Sequence, residues 1–275
     1  MTRLVRVVKN LIVVAVLAYA LVTAFFYFAQ ESILFPAGAV PADYDFGFPD
    51  NAEEFWVDRP DGARLHAVRF DNGGSRGVVL YFHGNGGTNA RAASFNALYA
   101  ALGYDLIALD YRGYGKSTGD RTEQAMLADA LAFYDAIIEA DALPPVIVGR
   151  SLGTVFATYV AARRSAQQLI LYAPAASIAH VAQHHYPLLP VAILRFPFRT
   201  DSFMADVDTP VLVFHGTQDR VIPIESGVKL SKSLKPPDLF IPIPGGTHNS
   251  LAWHPDVMAS IATTLTTQRV GDTGD

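Results

Sequence analysis

The sequence predicts an α/β fold, with a mostly parallel central sheet covered by helices on both faces and a transmembrane helix at the N-terminus. From residue 77 onward, short apolar runs are followed by a glycine-containing loop and then by a helical pattern. This alternation is typical of a parallel sheet. A long apolar segment, 11–29, precedes it. With 275 residues, the chain has room for one large domain and a short extension.

Composition excludes several classes of function. The formal net charge is −5, and no dense group of lysines and arginines follows the first ten residues, so nucleic acid is not an expected partner. The absence of cysteine excludes disulfides, thiolate metal sites and a cysteine nucleophile. The sequence implies no cofactor and no metal, and it leaves the oligomeric state open.

Residues 1–29 are expected to form a membrane anchor. Segment 11–29 is apolar, aromatic or small throughout apart from Thr23, and its length is close to the roughly 20 residues that cross a bilayer as a helix. Arg3, Arg6 and Lys9 precede it. The positive-inside rule therefore predicts a cytoplasmic N-terminus and an extracytoplasmic catalytic domain, which would be periplasmic in a bacterium.

A cleaved signal peptide is the alternative interpretation of this segment. Ala18-Tyr19-Ala20 is an acceptable small-x-small cleavage site, and cleavage would release a secreted domain. However, the apolar run continues through Phe28, well beyond a typical signal core. A buried core helix fits less well, because the segment lacks a polar face. These arguments favour an uncleaved anchor.

A connector and a hairpin should follow the anchor. Residues 30–50 are rich in proline, glycine and aromatic residues without a regular period, which suits a connector. Two strand-like runs, 55–57 and 65–70, flank a Pro-Asp-Gly turn signal at 60–62. This pattern predicts a β-hairpin.

The central sheet should contain six further strands. Five are continuous apolar runs, as expected for strands covered on both faces. The sixth contains Pro242, which predicts a position at the sheet edge because proline cannot donate to a strand neighbour. The runs are 78–82, 106–109, 146–148, 169–172, 211–214 and 239–243.

Two helices are predicted by apolar residues at helical spacing. In the first, Asp120 and Glu123 are placed as a capping pair at the start. The second begins at Pro255, a residue that suits the first helical turn. The apolar positions are Leu127, Leu131, Tyr134 and Ile138 in the first helix and Val257, Ile261 and Leu265 in the second.

One segment interrupts the alternation of strands and helices. Residues 174–207 separate two predicted strands and are too long for an ordinary crossover, so they predict a cap over the sheet edge. The α/β domain, including this cap, is expected over 51–268, and 269–275 form a C-terminal tail.

Two pentapeptides match Gly-x-Ser-x-Gly, centred on Ser117 and Ser151. The nucleophile elbow of α/β-hydrolases needs a buried strand immediately before the serine and a helix after it. Apolar residues 145–148 provide the strand before Ser151, and a helical stretch follows it. Ser117 lies among turn-forming residues and is expected to shape a loop. Ser151 is therefore the predicted nucleophile.

A serine hydroxyl needs a neighbouring base near neutral pH, and eight histidines compete for that role. His248 lies in a loop just after the last predicted strand, where it can reach the carboxyl edge of the sheet. We therefore predict that His248 is the base. The other histidines are interpreted as surface or structural side chains: His66, His83, His180, His184, His185, His215 and His254.

The acid should lie between the serine and the histidine in the chain, the order found in α/β-hydrolases. Asp219 follows strand 211–214 through a short turn, at the same sheet edge as Ser151 and His248. It is predicted to orient the imidazole and stabilise its cation. Asp208 and Asp238 precede strands, so we expect them at the opposite edge as turn or cap residues.

Acyl transfer also needs backbone N–H donors for the developing oxyanion. The loop 83–87 follows the strand 78–82, the position from which α/β-hydrolases provide one donor. We predict the N–H groups of Asn85 and Leu152 as the two donors. Neither this loop nor the stretch 110–117 has the glycine spacing of a nucleotide-binding motif.

Taken together, ordered motifs identify a resemblance that spans nearly the whole chain. They are 83–87, 110–117, 149–153, 215–219 and 246–248, with 30–36 after the anchor. The set resembles the bud-emergence type of α/β-hydrolase. The resemblance implies a single-pass membrane protein that acts on lipids, lysolipids or acyl thioesters, but it does not select one substrate.

The leading functional prediction is a serine hydrolase that cleaves carboxylic esters or thioesters through a Ser151 acyl-enzyme. A peptidase or amidase with the same triad is one alternative. A membrane-tethered scaffold without activity is another, but it would be expected to lack a triad or oxyanion residue.

The cap carries a group of apolar residues that could bind an acyl chain. Part of this surface is expected to line a pocket above Ser151, and the alternative is that it only packs the cap onto the core. The residues are Leu188, Leu189, Val191, Ile193, Leu194, Phe196, Phe198 and Phe203.

Overall fold

A computed structural model describes residues 3–74, 76–138 and 143–267. The predicted tail at 269–275 lies outside the described residues.

The strands are β1 (Ala52–Asp58), β2 (Arg64–Phe70), β3 (Val78–Phe82), β4 (Asp105–Leu109), β5 (Val146–Arg150), β6 (Gln168–Tyr172), β7 (Val211–Gly216) and β8 (Leu239–Ile243). They form one sheet in the order β1-β2-β4-β3-β5-β6-β7-β8. β2 pairs antiparallel with β1 and β4, and the remaining neighbours are parallel.

Helices cover both faces of this sheet, so the predicted α/β fold is confirmed. They are α1 (Arg3–Leu34), α2 (Asn89–Ala101), α3 (Glu123–Ile138), α4 (Gly153–Ala161), α5 (Ile178–His185), α6 (Thr200–Met204), α7 (Ile224–Ser231) and α8 (Pro255–Thr267). Two short 3₁₀ turns occur at Val191–Ile193 and Leu251–Trp253. The predicted hairpin is formed by β1 and β2.

Buried strand residues alternate between two apolar cores, one on each face. In β3, Leu80 and Phe82 belong to the core shared with α3 and α4, whereas Val79 and Tyr81 face α2 and α8. This two-sided burial explains why β3 reads as a continuous apolar run. β8 lies at the sheet edge, as Pro242 predicts.

Helix α1 is longer than the predicted anchor. Its 32 residues extend to Leu34, so the first part of the predicted connector is helical rather than irregular. At ~1.5 Å per residue the helix is about 48 Å long, which exceeds the hydrocarbon thickness of a bilayer, about 30 Å. Among the described residues, α1 is the one helix that is long and apolar enough to cross a membrane. Beyond it, Val40 N–H donates to Gly115 O at 2.7 Å and joins the connector to the domain.

The predicted capping pair of α3 is wrong. Thr122 caps the helix, because its Oγ1 accepts the Ala125 N–H at 3.1 Å, while Asp120 is exposed and lies outside the helix. Glu123 instead accepts the Phe198 N–H from the cap at 2.9 Å. Burial raises the pKa of the Glu123 carboxyl, although the Phe198 hydrogen bond opposes this effect. The side chain therefore joins α3 to the cap.

The predicted cap lies between β6 and β7 and contains α5, a 3₁₀ turn and α6. Its aromatic residues have the packing role that the sequence left open as the alternative to lining a pocket. Phe196 and Phe198 are 1% and 0% exposed and pack with Phe35 in the core, and Phe203 contacts Tyr159 edge-to-face. These three phenylalanines attach the cap to the domain, so packing is their role.

Candidate active site

The turn between β5 and α4 holds Ser151 in a strained conformation. Its φ is +53°, in the left-handed region that residues other than glycine rarely adopt. The flanking glycines make the turn possible. A Cβ on Gly149 would lie 2.7 Å from Ala157 Cβ, and one on Gly153 would lie 2.0 Å from the Phe82 carbonyl oxygen. The sequence around Ser151 therefore folds as a nucleophile elbow.

Three predicted site residues lie in a hydrogen-bonded row. His248 Nε2 is 3.0 Å from Ser151 Oγ, and His248 Nδ1 is 2.8 Å from Asp219 Oδ2. Because a carboxylate only accepts, Nδ1 carries the proton and Nε2 can accept the serine proton. The His248 side chain is 11% exposed, and Asp219 is shielded from solvent beneath it. This arrangement can activate a hydroxyl nucleophile.

The Asp219 carboxylate is held ionised. Its Oδ1 accepts the N–H groups of Val221 and Ile222, both at 2.9 Å. Burial would raise the pKa of Asp219, but the hydrogen bond and charge of His248, together with these backbone donors, lower it below its usual value. The negative charge therefore remains available to stabilise an imidazolium at His248.

His215 packs against the loop that carries Asp219. It is fully buried, its Nε2 donates to the Ile222 carbonyl oxygen at 2.9 Å, and the same nitrogen is 3.7 Å from Asp219 Oδ2. Burial lowers the pKa of His215, so the ring stays neutral. A Cβ on Gly227 would come within 2.5 Å of its Nδ1, so α7 packs directly against the ring.

The loop after β3 reaches the elbow, as predicted. A Cβ on Gly84 would lie 3.3 Å from Ser151 Cβ. Tyr111 Oη donates to His83 O at 2.7 Å, and Tyr114 Oη donates to Asn85 O at 2.9 Å, which fixes the loop backbone. Within the part of the chain that the structure describes, neither the Asn85 N–H nor the Leu152 N–H donates to a protein acceptor. Both groups are therefore available to an oxyanion.

Ser117 shapes a loop, as predicted, and is buried there. Its Oγ donates to Asp110 O at 2.7 Å and accepts the His66 N–H at 2.8 Å. Both hydrogen bonds close the turn after β4. The predictions for Asp208 and Asp238 are also confirmed, because Asp208 is exposed and Asp238 accepts the Val211 N–H at the start of β7.

A second carboxylate–histidine cluster lies behind the 83–87 loop and was not predicted. Asp110 Oδ2 is 3.1 Å from His66 Nδ1, and His66 Nε2 is 2.6 Å from Glu54, which also pairs with Lys116. Asp110 also accepts the Asn89 N–H at the start of α2. The available sequence signal was the position of Asp110 directly after a buried strand.

The cap and the end of α1 enclose a cavity of about 360 Å³. Four of the predicted cap residues line it, and Asn85 also contributes to its wall. Leu188 is 82% exposed and lies outside this lining. The lining cap residues are Leu189, Val191, Ile193 and Leu194.

No described group of three or more His, Cys, Asp or Glu side chains, within 3–74, 76–138 and 143–267, could hold a metal ion.

Comparisons with known proteins identify relatives of this chain. Residues 73–197 match the family described as "Serine aminopeptidase, S33". The uncharacterized protein Rv2307c of Mycobacterium tuberculosis is 31% identical over 249 residues, which cover 88% of this chain and 89% of that protein. Lysophosphatidylserine lipase ABHD12 of Macaca fascicularis is 32% identical over 189 residues, covering 60% of this chain and 47% of the lipase. The match thus spans about half of ABHD12.

Solved structures resemble the fold over most of the chain. Est1E from Butyrivibrio proteoclasticus with bound ferulic acid superposes with a TM-score of 0.62 at 23% identity, covering 79% of this chain and 98% of Est1E. A monoacylglycerol lipase from Paleococcus ferrophilus gives 0.60 at 22% identity, covering 74% of this chain and 99% of the lipase. At these identities the structural matches support the fold alone.

Proposed function

Because this chain belongs to the α/β-hydrolase superfamily and is a serine hydrolase, we propose that it cleaves carboxylic esters or thioesters with an apolar acyl chain. The observation that carries the proposal is the row from Ser151 Oγ through His248 to Asp219, with distances of 3.0 and 2.8 Å. The apolar cavity beside Asn85 supports the choice of acyl chain.

The proposed reaction begins with attack of Ser151 Oγ on the acyl carbon while His248 Nε2 takes the hydroxyl proton. The N–H groups of Asn85 and Leu152 stabilise the oxyanion of the tetrahedral intermediate. His248 then protonates the departing alcohol or thiol, which leaves an acyl-enzyme on Ser151. Water attacks this ester with His248 again as base, and the acid product leaves.

The finer assignment follows the resemblance to bud-emergence-type hydrolases. In this proposal, α1 anchors the protein and the catalytic domain lies outside the cytoplasm, because Arg3, Arg6 and Lys9 stay inside. Lipids, lysolipids and acyl thioesters are the candidate substrates. The relation to a lysophosphatidylserine lipase favours the lipid class.

An aminopeptidase is the second candidate, since residues 73–197 match a family described by that activity. Recognition of a free amino terminus would require an anion to pair with the substrate ammonium. The described residues that line the cavity include no aspartate or glutamate. This apolar lining favours an acyl chain over a charged amine. A panel of p-nitrophenyl esters and aminoacyl p-nitroanilides separates the two activities.

Fluorophosphonate labelling of the full chain in membranes tests the proposal without knowledge of the substrate. We expect labelling of the wild type and none of Ser151→Ala, because the phosphonate reacts with an activated serine. Ser117→Ala is the matched control, with the same Gly-x-Ser-x-Gly context, and should retain labelling. An unlabelled but folded wild type, or loss of labelling in Ser117→Ala alone, would contradict the proposal.

Ester turnover separates the roles of the other two residues. His248→Ala and Asp219→Asn should each lower kcat by about 10³-fold or more, with the aspartate change the milder. Asp208→Asn, at the opposite sheet edge, is the control and should retain activity. Comparable losses in Asp208→Asn and Asp219→Asn would refute the assignment of the acid.

A further inference from the structure

The cavity beside Asn85 has walls from two separate parts of the chain. One wall is the cap, represented by Leu189 and Ile193. The other wall is the last turns of α1, including Ile33 and Leu34. Because α1 is the candidate membrane span, the same helix contributes to the bilayer segment and to the candidate acyl pocket.

Specific polar contacts attach α1 to the cap. Gln30 is 6% exposed, its Nε2 donates to Ile193 O at 3.1 Å, and its Oε1 accepts the Arg195 N–H at 2.7 Å. Glu31 lies 3.5 Å from Arg195 and 3.6 Å from Arg121 in ion pairs. A helix that served only as a tether would not need a buried amide aligned with the backbone of the cap.

The cap also reaches into the apolar part of α1. Tyr19 Oη donates to Leu188 O at 2.9 Å. Tyr19 precedes Gln30 by eleven residues, or about 16 Å along a helix at ~1.5 Å per residue. Leu188 is 82% exposed there, which suits a side chain in lipid better than one in water. A groove along α1 is continuous with the cavity, because Ile193 lines both of them.

Because the groove along α1 is continuous with the cavity, we infer that α1 is part of the substrate site. This inference rests on the proposed ester hydrolysis. The acyl chain of a single-chain lipid ester lies between the end of α1 and the cap, with its carbonyl group toward Asn85 and Ser151. The substrate enters from the bilayer along the groove at Ile193, without crossing water.

The size and chemistry of the cavity fit this occupant. Its volume of about 360 Å³ lies toward the small end of ligand pockets, roughly 300–1,000 Å³. Among the described residues that line it there is no Asp, Glu, Lys or Arg. Asn85, which lines it, directly follows Gly84, and a Cβ on Gly84 would lie 3.3 Å from Ser151 Cβ. The polar head of the lipid therefore stays outside the cavity, and the apolar chain fills it.

Labelling by fluorophosphonates of two chain lengths tests the inference on the full chain in phosphatidylcholine vesicles. Ile33→Trp should lower the labelling rate constant for a dodecyl probe about 15-fold, because each methylene that is no longer buried lowers the rate about fourfold and we expect at least two to be displaced. The ratio of dodecyl to ethyl rate constants should therefore fall, since the ethyl chain is too short to reach α1. Leu21→Trp is the control: Leu21 is 73% exposed on the same helix and lies outside the cavity lining.

The outcomes separate this inference from the proposed function. An unchanged ratio of dodecyl to ethyl rates in Ile33→Trp overturns the acyl site on α1. Absence of ethyl labelling at Ser151 in the wild type overturns the proposed hydrolase instead.

A photoreactive probe on the wild type keeps the test decisive if Ile33→Trp fails to fold. A dodecyl fluorophosphonate with a terminal diazirine should, after reaction at Ser151, cross-link to residues 26–34 or to the cap around Leu189. Cross-links confined to the separate cleft beside Trp253 would place the chain elsewhere and refute the inference.

The route of entry has its own test. A hexadecyl probe is placed either in the same vesicles as the protein or in separate donor vesicles, from which it must pass through water. We expect faster initial labelling from the shared bilayer. Equal initial rates would show that the chain arrives through water and would overturn entry from the membrane.

Discussion

At the scale of single residues, the sheet carries two carboxylate–histidine pairs, but only one has a histidine placed to act as a base. His248 and His66 each approach a buried carboxylate through Nδ1, at 2.8 and 3.1 Å respectively. The difference lies at Nε2, which meets the Ser151 hydroxyl in His248 and the Glu54 carboxylate in His66. A ring whose two nitrogens both face carboxylates has no nucleophile to activate, so the pair at Asp110 is structural.

The Asp110 pair should make stability depend on acid pH. Burial would raise the pKa of Asp110, but hydrogen bonds involving His66 and His83 lower it below its usual value. A carboxyl with a lowered pKa stabilises the fold above its unfolded pKa, about 3.9, and loses that contribution as the pH falls through the folded value. We expect Asp110→Asn to cost about 1–3 kcal/mol near pH 7, because its partners lose an ionised acceptor. The difference from wild type should shrink below about pH 4.

Urea unfolding of the detergent-solubilised full chain at neutral and acid pH measures this effect. Asp58→Asn is the control, since its side chain is 75% exposed and its pair with Arg64 lies on the surface. A loss for Asp110→Asn that stays constant from pH 7 to pH 3 would show that the lowered pKa does not contribute to stability.

At the scale of elements, the strand–turn–helix unit from β5 to α4 depends on close backbone approach. Gly153 begins α4 directly against the end of β3, where even a Cβ would collide with a carbonyl oxygen. The turn can hold Ser151 at positive φ only if both flanking positions remain free of side chains. Glycine spacing in this motif is therefore a packing requirement.

Gly153→Ala should abolish fluorophosphonate labelling, because its Cβ would lie 2.0 Å from the Phe82 carbonyl oxygen. Overpacking of this kind typically costs about 1–3 kcal/mol or more and displaces the serine. Gly86→Ala is the control, since a Cβ there meets no atom within 4 Å. Retained labelling in Gly153→Ala, or its loss in Gly86→Ala, would contradict the packing argument.

Substitutions in the cap should show that stability and chain-length preference depend on different residues. Phe196→Ala is expected to cost about 3–5 kcal/mol of unfolding free energy, because a fully packed aromatic side chain is removed. The chain-length dependence of labelling should not change, since Phe196 lies outside the cavity lining. Leu188→Ala, at an exposed position, should change stability by no more than about 0.5 kcal/mol. A shift of chain-length preference in Phe196→Ala would show that this residue contributes to the acyl pocket.

At the scale of the whole molecule, the long helix and the hydrolase domain are joined by contacts as well as by chain connection. Phe35, directly after α1, is 3% exposed and packs on Phe196 and Tyr114 in the domain core. With Gln30 buried against the cap, the last turns of α1 belong to the folded domain. The proposed limits of the anchor, 1–29, and of the domain, 51–268, remain predictions. The contacts at residues 30–35 place that part of the connector with the domain.

The proposed membrane topology rests on the charges at the start of α1 and can be tested directly. The protein should stay with membranes through a high-salt wash, and protease added outside cells, or to spheroplasts where an outer membrane exists, should digest the domain. Replacing Arg3, Arg6 and Lys9 by glutamate should increase the protected fraction, because the positive flank sets the orientation. Release by salt would indicate cleavage or peripheral binding, and full protection of the wild type would reverse the proposed orientation.

Local sequence determined the strands, the elbow and the order of the site residues. Buried strands must be apolar along their whole length, and the elbow around Ser151 must have glycines at fixed spacing, so both leave local signals. The same logic selected His248 and Asp219 as candidates, because loops after parallel strands converge at one sheet edge.

Only the tertiary structure decided which side chains meet across distant segments. The partners of His66 lie at Glu54 and Asp110, Glu123 binds the backbone of Phe198, and the cavity joins α1 to a cap more than 140 residues away. Phe196 and Leu189 are both apolar cap residues, but one packs in the core and the other lines the cavity. Apolarity determines that a side chain is buried, whereas its neighbours depend on how the chain folds back on itself. The sequence therefore predicted the proposed catalytic residues, and tertiary contacts joined the candidate membrane helix to the domain that carries them.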